Sequence, residues 1–159
     1  MLSTRPATIA DAALLRTMIC ELAEFERGLE WVKITEEDLA RDGFGPKPIF
    51  QALIGEWKGQ PVAYALFFDY YSTWRGKQMF LEDLFVRPQF RGLGIGKAML
   101  AAVAQIAIQE NCRGMRWEVL DWNQPAIDFY KSLGADFMDE WKLVMLNPED
   151  MNRLAEIAP

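Results

Sequence analysis

Apolar side chains recur at helical spacing in two long stretches of the chain, and capping residues mark two shorter helices. The first long helix follows a short strand within TRPATIADAALLRTMICELAEFE, and either Thr8 or Asp11 is suited to cap it. The second long helix is predicted from about Gly94 to Glu110. The shorter helices are predicted in TEEDLARDGF, which begins with a looser form of the capping box, and in QPAIDFYKSLGA, where a proline suits the first turn and a glycine the end.

The stretches between these helices are rich in aromatic and branched residues and predict strands. IFQALIGEW and PVAYALFFDYY, joined by KGQ, predict a hairpin, and a second turn, STWRGK, leads into the strand QMFLEDLFV. Two further strands are predicted in GMRWEVLDW and DFMDEWKLVML. The order is β-α-α-β-β-β-α-β-α-β, an α+β fold with a mixed, mostly antiparallel central sheet flanked by helices. We expect a single domain over residues 1–159.

Composition narrows the chemistry, because the chain contains no histidine. Catalytic Ser-His or Cys-His pairs, a histidine base and a histidine metal site are thereby excluded, and we expect no metal. Acid–base work falls to carboxylates, tyrosine, lysine or water. The net charge of −6 argues against a nucleic-acid partner and is compatible with a cationic one.

The chain shows no sign of a membrane or export segment. No apolar run approaches the ~20 residues of a membrane span, and the N-terminal stretch lacks a basic segment followed by an apolar one. The two cysteines, Cys20 and Cys112, fit reduced thiols in a packed interior better than a disulfide framework. We therefore expect a cytoplasmic protein without a membrane partner.

The segment RGLGIGK, residues 91–97, combines a strand end, a glycine-rich turn and a helix start. Unpaired N–H groups at a helix start, together with the helix dipole, attract an anion, and glycines let the backbone approach it closely. Arg87, Arg91 and Lys97 add positive charge in an otherwise acidic chain. The segment matches neither a Walker loop nor the dinucleotide fingerprint. A turn whose glycines serve packing alone is the alternative.

The glycine segment also matches the R-x-x-G-x-G signature of the GNAT acetyltransferases, which bind the pyrophosphate of acetyl-CoA there. Five more blocks occur in the same order, namely RPAT, ITEEDLARDGFG, STWRGK, LEDLFV and VLDWNQPAIDFYKSLGA. Together they resemble the diamine (spermidine/spermine) and thialysine acetyltransferase branch over nearly the whole chain. The resemblance implies transfer of an acetyl group from acetyl-CoA to the amine of a small molecule, by a homodimeric enzyme.

The resemblance also implies a set of functional residues. Glu82 in LEDL matches the position that takes a proton from the amine through water, and Tyr130 matches the general acid that protonates the departing thiolate. The alternative for Glu82 and Asp83 is that they are ordinary charged residues at the edge of the sheet. The alternative for Tyr130 is that its ring only fills the core. The cofactor would contact the strand end, the glycine loop and an asparagine that is equally suited to cap a helix: Leu84, Phe85, Val86, Arg91, Gly92, Leu93, Gly94, Ile95, Gly96, Lys97 and Asn123.

Four residues match the amine site of this branch: Glu26, Glu30, Trp74 and Asp83. The alternative for Glu26 and Glu30 is that they are ordinary acids at the end of a solvated helix. The alternative for Trp74 is that it is an aromatic residue packing in a turn. The polyamine branch has an aspartate at the position of Ser72 and a tyrosine at that of Phe25. Fewer anions favour a substrate shorter than spermine. A protein lysine or N-terminal acetyltransferase and a non-catalytic acyl-CoA-binding module remain the alternative functions.

Overall fold

The computed structural model describes all 159 residues and contains one five-stranded sheet with the strand order β1-β2-β3-β4-β5. The strands are β1 (Leu2–Pro6), β2 (Gln51–Trp57), β3 (Gln60–Ser72), β4 (Gly76–Val86) and β5 (Met115–Arg116). The first four pair with one another in antiparallel fashion, whereas β5 runs parallel to β4. The predicted α+β class with a mixed sheet is confirmed.

The sheet belongs to a compact unit, Met1–Leu120, that has helices on both faces. These helices are α1 (Ala12–Phe25), α2 (Glu36–Phe44) and α3 (Ile95–Gln109). On β2, Ile54 packs in a core cluster with residues of α1 and α2, while a Cβ on Gly55 would lie 2.7 Å from Sδ of Met99 in α3. Because neighbouring strand residues point to opposite faces, α3 covers the face opposite to α1 and α2.

The strand predicted over 114–122 is much shorter in the structure. It pairs with β4 only through Met115 and Arg116, opposite Met79 and Phe80. Two residues further along β4, at Glu82, the register with β3 shifts. A bulge bends the strand that carries it and can end pairing with a neighbour, which accounts for the early end of β5.

Residues Asp121–Pro159 form a second compact unit with α4 (Gln124–Ser132) and α5 (Pro148–Ala155). The final strand predicted over 136–146 is wrong. A turn closed by the Trp141 N–H on the carbonyl of Met138 at 3.1 Å interrupts this segment, and no strand pairs with it. Asn147 instead caps α5, accepting a hydrogen bond from the Asp150 N–H at 2.9 Å.

No helix in the structure combines the length and the apolar character needed to cross a bilayer.

Candidate active site

A β-bulge in β4 determines the placement of the two LEDL carboxylates. Leu66 pairs with Asp83 and Phe67 pairs with Leu81, so that Glu82 is the extra residue without a partner on β3. Glu82 is exposed and Asp83 is half-buried. Bulges commonly re-aim a side chain beside a functional site. Here the bulge interrupts an apolar strand at the residue that the sequence predicts to be the base.

Glu26, Glu82 and Asp83 form an acidic cluster without a cationic partner. Glu26 lies directly after the end of α1, and its charge raises the pKa of Asp83. None of the three carboxylates forms an ion pair, although other carboxylates of the chain pair with arginine or lysine. Unpaired, partly desolvated carboxylates are costly to ionise and favour a cationic ligand.

The pKa values of all three acids are raised, and the largest cause in each is partial desolvation of the carboxylate by surrounding atoms, although Glu26 and Glu82 reach the surface. For Glu82 the nearby charges of Asp83 and Glu118 add to the effect. For Asp83 the charge of Glu26 raises the pKa, and a hydrogen bond from Tyr64 opposes the shift. For Glu26 this desolvation is the sole cause. A carboxylate whose pKa is raised toward neutrality is a better general base than an ordinary one.

Beyond Phe80, the edge of β4 that faces away from β3 is open in the sense that no strand pairs with it. The Arg87 N–H donates to the carbonyl of Val62 on the β3 side at 2.9 Å. Because N–H groups alternate in direction along a strand, those of Leu84 and Val86 point to the open edge and that of Phe85 points to β3. The side chain of Phe85 is buried in the core. Two of the three predicted strand residues therefore present backbone donors at the open edge.

The glycine segment leads directly into α3, and two of its glycines require their residue type. Gly92 has φ +77° and Gly94, the N-cap, has φ +78°, in the left-handed region that side chains disfavour. A Cβ at either position would meet nothing within 4 Å, so the requirement is conformational and not steric. Ile95 is buried and anchors the segment, whereas Leu93 is half exposed.

The first turn of α3 offers donors for an anion. Gly94 supplies no side-chain cap, and the N–H groups of Ile95, Gly96 and Lys97 have no acceptor within the helix. They point out at the positive end of the helix dipole, beside the exposed Lys97. These donors, the left-handed glycines and the open edge of β4 fit a ligand that carries both phosphates and amides. Acetyl-CoA has this composition.

Arg91 and Arg87 have different roles. The Arg91 Nε donates to the carbonyl of Val86 at 3.0 Å, and its guanidinium carbon lies 4.6 Å from the ring centroid of Phe25. Arg91 is therefore held at the mouth of the glycine segment. Arg87 makes two hydrogen bonds to Glu21, at 2.7 and 2.8 Å. The expectation that Arg87 adds positive charge to the anion site is wrong, because the carboxylate of Glu21 on α1 neutralises its guanidinium.

Two predicted amine-site residues, Glu30 and Trp74, lie in turns outside α1 and β4. Glu26 and Glu30 do not share a helix face, because α1 ends at Phe25 and Glu30 lies exposed in a separate 3-10 turn. Trp74, in the turn between β3 and β4, is 83% exposed. From Gly76 at the turn to Glu82 the strand spans roughly 20 Å at about 3.3 Å per residue. Trp74 does not reach the cluster of its own chain.

Tyr130 and Asn123 belong to the second unit. Asn123 caps α4, with its Oδ1 accepting a hydrogen bond from the Ala126 N–H at 3.4 Å. Its capping role, which the sequence left open, is thus present. Tyr130 is buried on the same helix, and its ring centroid lies 5.3 Å from that of Phe129.

One group of metal-type ligands lies outside this region. A carboxylate oxygen of Asp69, one of Glu110 and Sγ of Cys112 lie within 4.8 Å of one another. The ammonium of Lys77 already bonds both carboxylates, at 2.7 and 3.5 Å. Burial and the charge of Asp69 raise the pKa of the Cys112 thiol. The group is a neutralised surface network, and we assign no metal to it.

Tyr64 is the residue that the sequence reasoning missed. Its hydroxyl donates to Oδ2 of Asp83 at 2.8 Å from within the core. The signal was present, since a tyrosine in the apolar run PVAYALFF needs a polar partner when it is buried. Identifying the partner requires the register of β3 against β4, which the sequence does not supply.

The chain resembles a known family and known proteins over most of its length. Residues 16–135 match the model of the acetyltransferase (GNAT) family. The chain is 41% identical to the thialysine N-epsilon-acetyltransferase of Sus scrofa, covering 95% of both chains. It is 38% identical to the spermidine/spermine N(1)-acetyltransferase-like protein 1 of Homo sapiens, over 95% of this chain and 23% of that protein. An integron cassette protein of V. cholerae has a similar structure, with a TM-score of 0.80, 25% identity and 98% of each chain covered.

Proposed function

The chain belongs to the acetyltransferase (GNAT) family and is an acetyl-CoA-dependent N-acetyltransferase; from this premise we propose that its acceptor is a small amine with a second positive charge. A thialysine-like amino acid or a short diamine has this character. The observation that carries the proposal is the acidic cluster of Glu26, Glu82 and Asp83, which lacks a cation of its own. Similarity to a thialysine acetyltransferase over nearly the whole chain supports it.

Glu82 serves as the base in this proposal. An alkylammonium has a pKa of ~10.4 and is not nucleophilic until it loses a proton. The raised pKa of Glu82 suits it to take that proton, directly or through a water. Asp83 and Glu26 then hold the second ammonium of the substrate, which stays charged.

The cofactor residues orient the second reactant. Acetyl-CoA, when bound, supplies an acetyl group activated as a thioester. The N–H groups of Leu84 and Val86 are free to pair with its amide arm and to polarise the reacting carbonyl. The N–H groups at the start of α3, with Arg91 and Lys97, are suited to hold its phosphates.

The roles proposed for Tyr130 and Asn123 rest on the family resemblance. Tyr130 would donate its phenolic proton to the leaving sulfur, and Asn123 would contact the cofactor through the amide nitrogen that capping leaves unused. A thiol pKa near 8.5 makes such protonation a modest contribution, so Tyr130→Phe should slow turnover without abolishing it. An unchanged kcat in that variant would remove Tyr130 from the mechanism.

The role of Glu82 is tested by Glu82→Gln against Glu118→Gln. We expect Glu82→Gln to lower kcat roughly a hundredfold or more, as for loss of a general base. Glu118→Gln removes a neighbouring negative charge that raises the pKa of Glu82, so its plateau rate should persist while the acidic limb of the rate profile moves to lower pH. Equal rates for wild type and Glu82→Gln would assign the base elsewhere.

The substrate class is tested by comparing dications with matched monocations. With acetyl-CoA saturating, kcat/KM should be higher for thialysine, ornithine or butane-1,4-diamine than for butylamine. A lysine-containing peptide tests the alternative of a protein substrate. Equal kcat/KM for the diamine and butylamine would remove the role of the acidic cluster, and a strong preference for the peptide would favour a protein acetyltransferase.

We also propose a homodimer, because Trp74 lies too far from the acidic cluster of its own chain to contact a substrate there. In a dimer, Trp74 of the second copy could lie beside this cluster, because the distance along its own chain does not restrict it. The exposed apolar run Leu143–Leu146 is a further surface that a second copy would cover. Light scattering tests the assembly, and recovery of activity on mixing Trp74→Ala with Glu82→Gln protein tests the shared site. A monomer with full activity would refute both.

We propose that both units form one catalytic domain, 1–159, because the family match over 16–135 crosses the boundary between them. A cytoplasmic location remains a prediction from the sequence.

A further inference from the structure

Tyr64 carries an oxygen atom that packing alone does not explain. The residue is fully buried in β3, within the core cluster formed with α1 and α2. Its ring packs against that of Phe85, with centroids 6.1 Å apart. A phenylalanine would fill the same space without placing a hydroxyl in the core, and burying a hydroxyl is unfavourable unless it is hydrogen-bonded.

The hydroxyl has a single, well-defined partner. It donates to Oδ2 of Asp83 at 2.8 Å, and burial together with the negative charge of Asp83 raises the pKa of Tyr64, so that the proton stays on the phenol. The other oxygen of Asp83 accepts no hydrogen bond from the chain, and no buried side-chain oxygen of the structure lacks a partner. Oδ1 is therefore accessible to solvent, and to a ligand.

We propose that Tyr64 is a positioning residue of the amine site, which fixes Oδ2 of Asp83 so that Oδ1 receives the second ammonium of the substrate. The inference rests on the proposed function and deepens it. A carboxylate held by a rigid donor at one oxygen presents the other in one direction, which lowers the entropic cost of binding.

Electrostatics gives Tyr64 a second effect on the same group. Asp83 faces the carboxylates of Glu26, from the end of α1, and Glu82, its neighbour in β4, and burial also disfavours its charge. The hydroxyl is the one contact that lowers the pKa of Asp83. Without it, the pKa of Asp83 rises further. Protonation of Asp83 weakens ammonium binding. Without the hydroxyl, this loss of affinity would occur at a higher pH than in the wild type.

The test compares Tyr64→Phe with Tyr70→Phe, a tyrosine of the same strand whose ring packs edge-on against Phe80. The KM values for butane-1,4-diamine and for acetyl-CoA are measured between pH 6 and 9. For Tyr64→Phe we expect the diamine KM at the acidic end to rise roughly tenfold, as for the loss of one hydrogen bond to a charged group. The KM for acetyl-CoA and the kcat should stay near wild type, and Tyr70→Phe should change none of these values.

A merely structural role gives a different result. It would lower the melting temperature and alter kcat and both KM values together, without a shift of the pH profile. Making Tyr64→Phe in an Asp83→Asn background tests whether Tyr64 acts through Asp83. If it does, Tyr64→Phe should have no further effect on the diamine KM there. Unchanged diamine KM and pH profile in Tyr64→Phe, or an effect in the Asp83→Asn background equal to that in the wild type, would overturn the proposal.

Calorimetric binding of butane-1,4-diamine separates this inference from the proposed function. If the wild-type protein acetylates no amine, the proposed function fails, yet weaker diamine binding by Tyr64→Phe than by Tyr70→Phe would still support a cation site positioned by Tyr64. Absence of diamine binding by the wild type, or equal binding by both variants, refutes the inference.

Discussion

Replacing Gly94 by alanine tests whether the glycine segment needs glycine at this position for its backbone conformation or for lack of space. Gly94 has φ +78° and ψ 2° at the N-cap of α3, where an alanine would have to adopt the unfavourable left-handed conformation. That cost is about 1 kcal/mol. A Cβ at this position would meet nothing within 4 Å, so no clash adds to it. We expect Gly94→Ala to lower the free energy of unfolding by about that amount.

Gly96→Ala is the matched control on the same segment. Gly96 lies within α3, where alanine is favoured over glycine by up to about 1 kcal/mol. Its Cβ would lie 3.7 Å from Cγ2 of Val86, an ordinary van der Waals contact. The control should therefore be as stable as the wild type or more stable. The two variants differ by one methyl group each, two residues apart, and the expected changes have opposite signs.

Urea unfolding followed by circular dichroism measures both effects, with the midpoint shifting at constant m-value. The KM for acetyl-CoA gives the functional counterpart. We expect it to rise in Gly94→Ala, which misdirects the N–H groups of the first turn of α3. A Gly94→Ala protein as stable as the wild type would refute the conformational argument. A destabilised Gly96→Ala protein would refute the packing argument.

Two further predictions concern ion pairs that support the fold. Hydrogen bonds from Arg5 lower the pKa of Asp11 to about 2, so Asp11→Asn should cost about 2 kcal/mol of unfolding free energy at neutral pH. Because the folded pKa is depressed, this difference should narrow as pH falls from about 4 toward 2, and a constant difference in urea titrations would contradict the assignment. Arg87→Ala should cost about 2 kcal/mol by leaving Glu21 unpaired, with the KM for acetyl-CoA unchanged. A raised KM for acetyl-CoA without a loss of stability would instead indicate that Arg87 binds the cofactor phosphates.

Local features of the site were predictable from the sequence, because each depends on residues close in the chain. The alternating glycines ahead of an apolar helix predicted a glycine-rich turn and the backbone donors at the start of that helix. The pair Glu82 and Asp83 inside an apolar strand identified the acidic residues. The family resemblance added their roles, and the family match confirms the acetyltransferase assignment.

Features that depend on distant residues were not predictable in the same way. The hydrogen bond from Tyr64 to Asp83 needs the strand register, and that register contains a bulge which no local pattern signals. The pair of Arg87 with Glu21 joins residues 66 positions apart, so the arginine resembled part of the glycine loop beside it. The segment 136–146 has the apolar content of a strand, but a strand also needs a neighbour, and the structure supplies none.

The central claim is tested most directly by identifying the product. Purified protein is incubated with acetyl-CoA and, in separate reactions, thialysine or butane-1,4-diamine; thiol release is followed and the amine is analysed by mass spectrometry. The account predicts one N-acetylated amine for each thiol released, with rates that saturate in both reactants. Saturable CoA binding without any acetylated small amine would contradict it. The glycine segment would then still bind the cofactor, but the assignment of the acidic cluster as the acceptor site would be wrong.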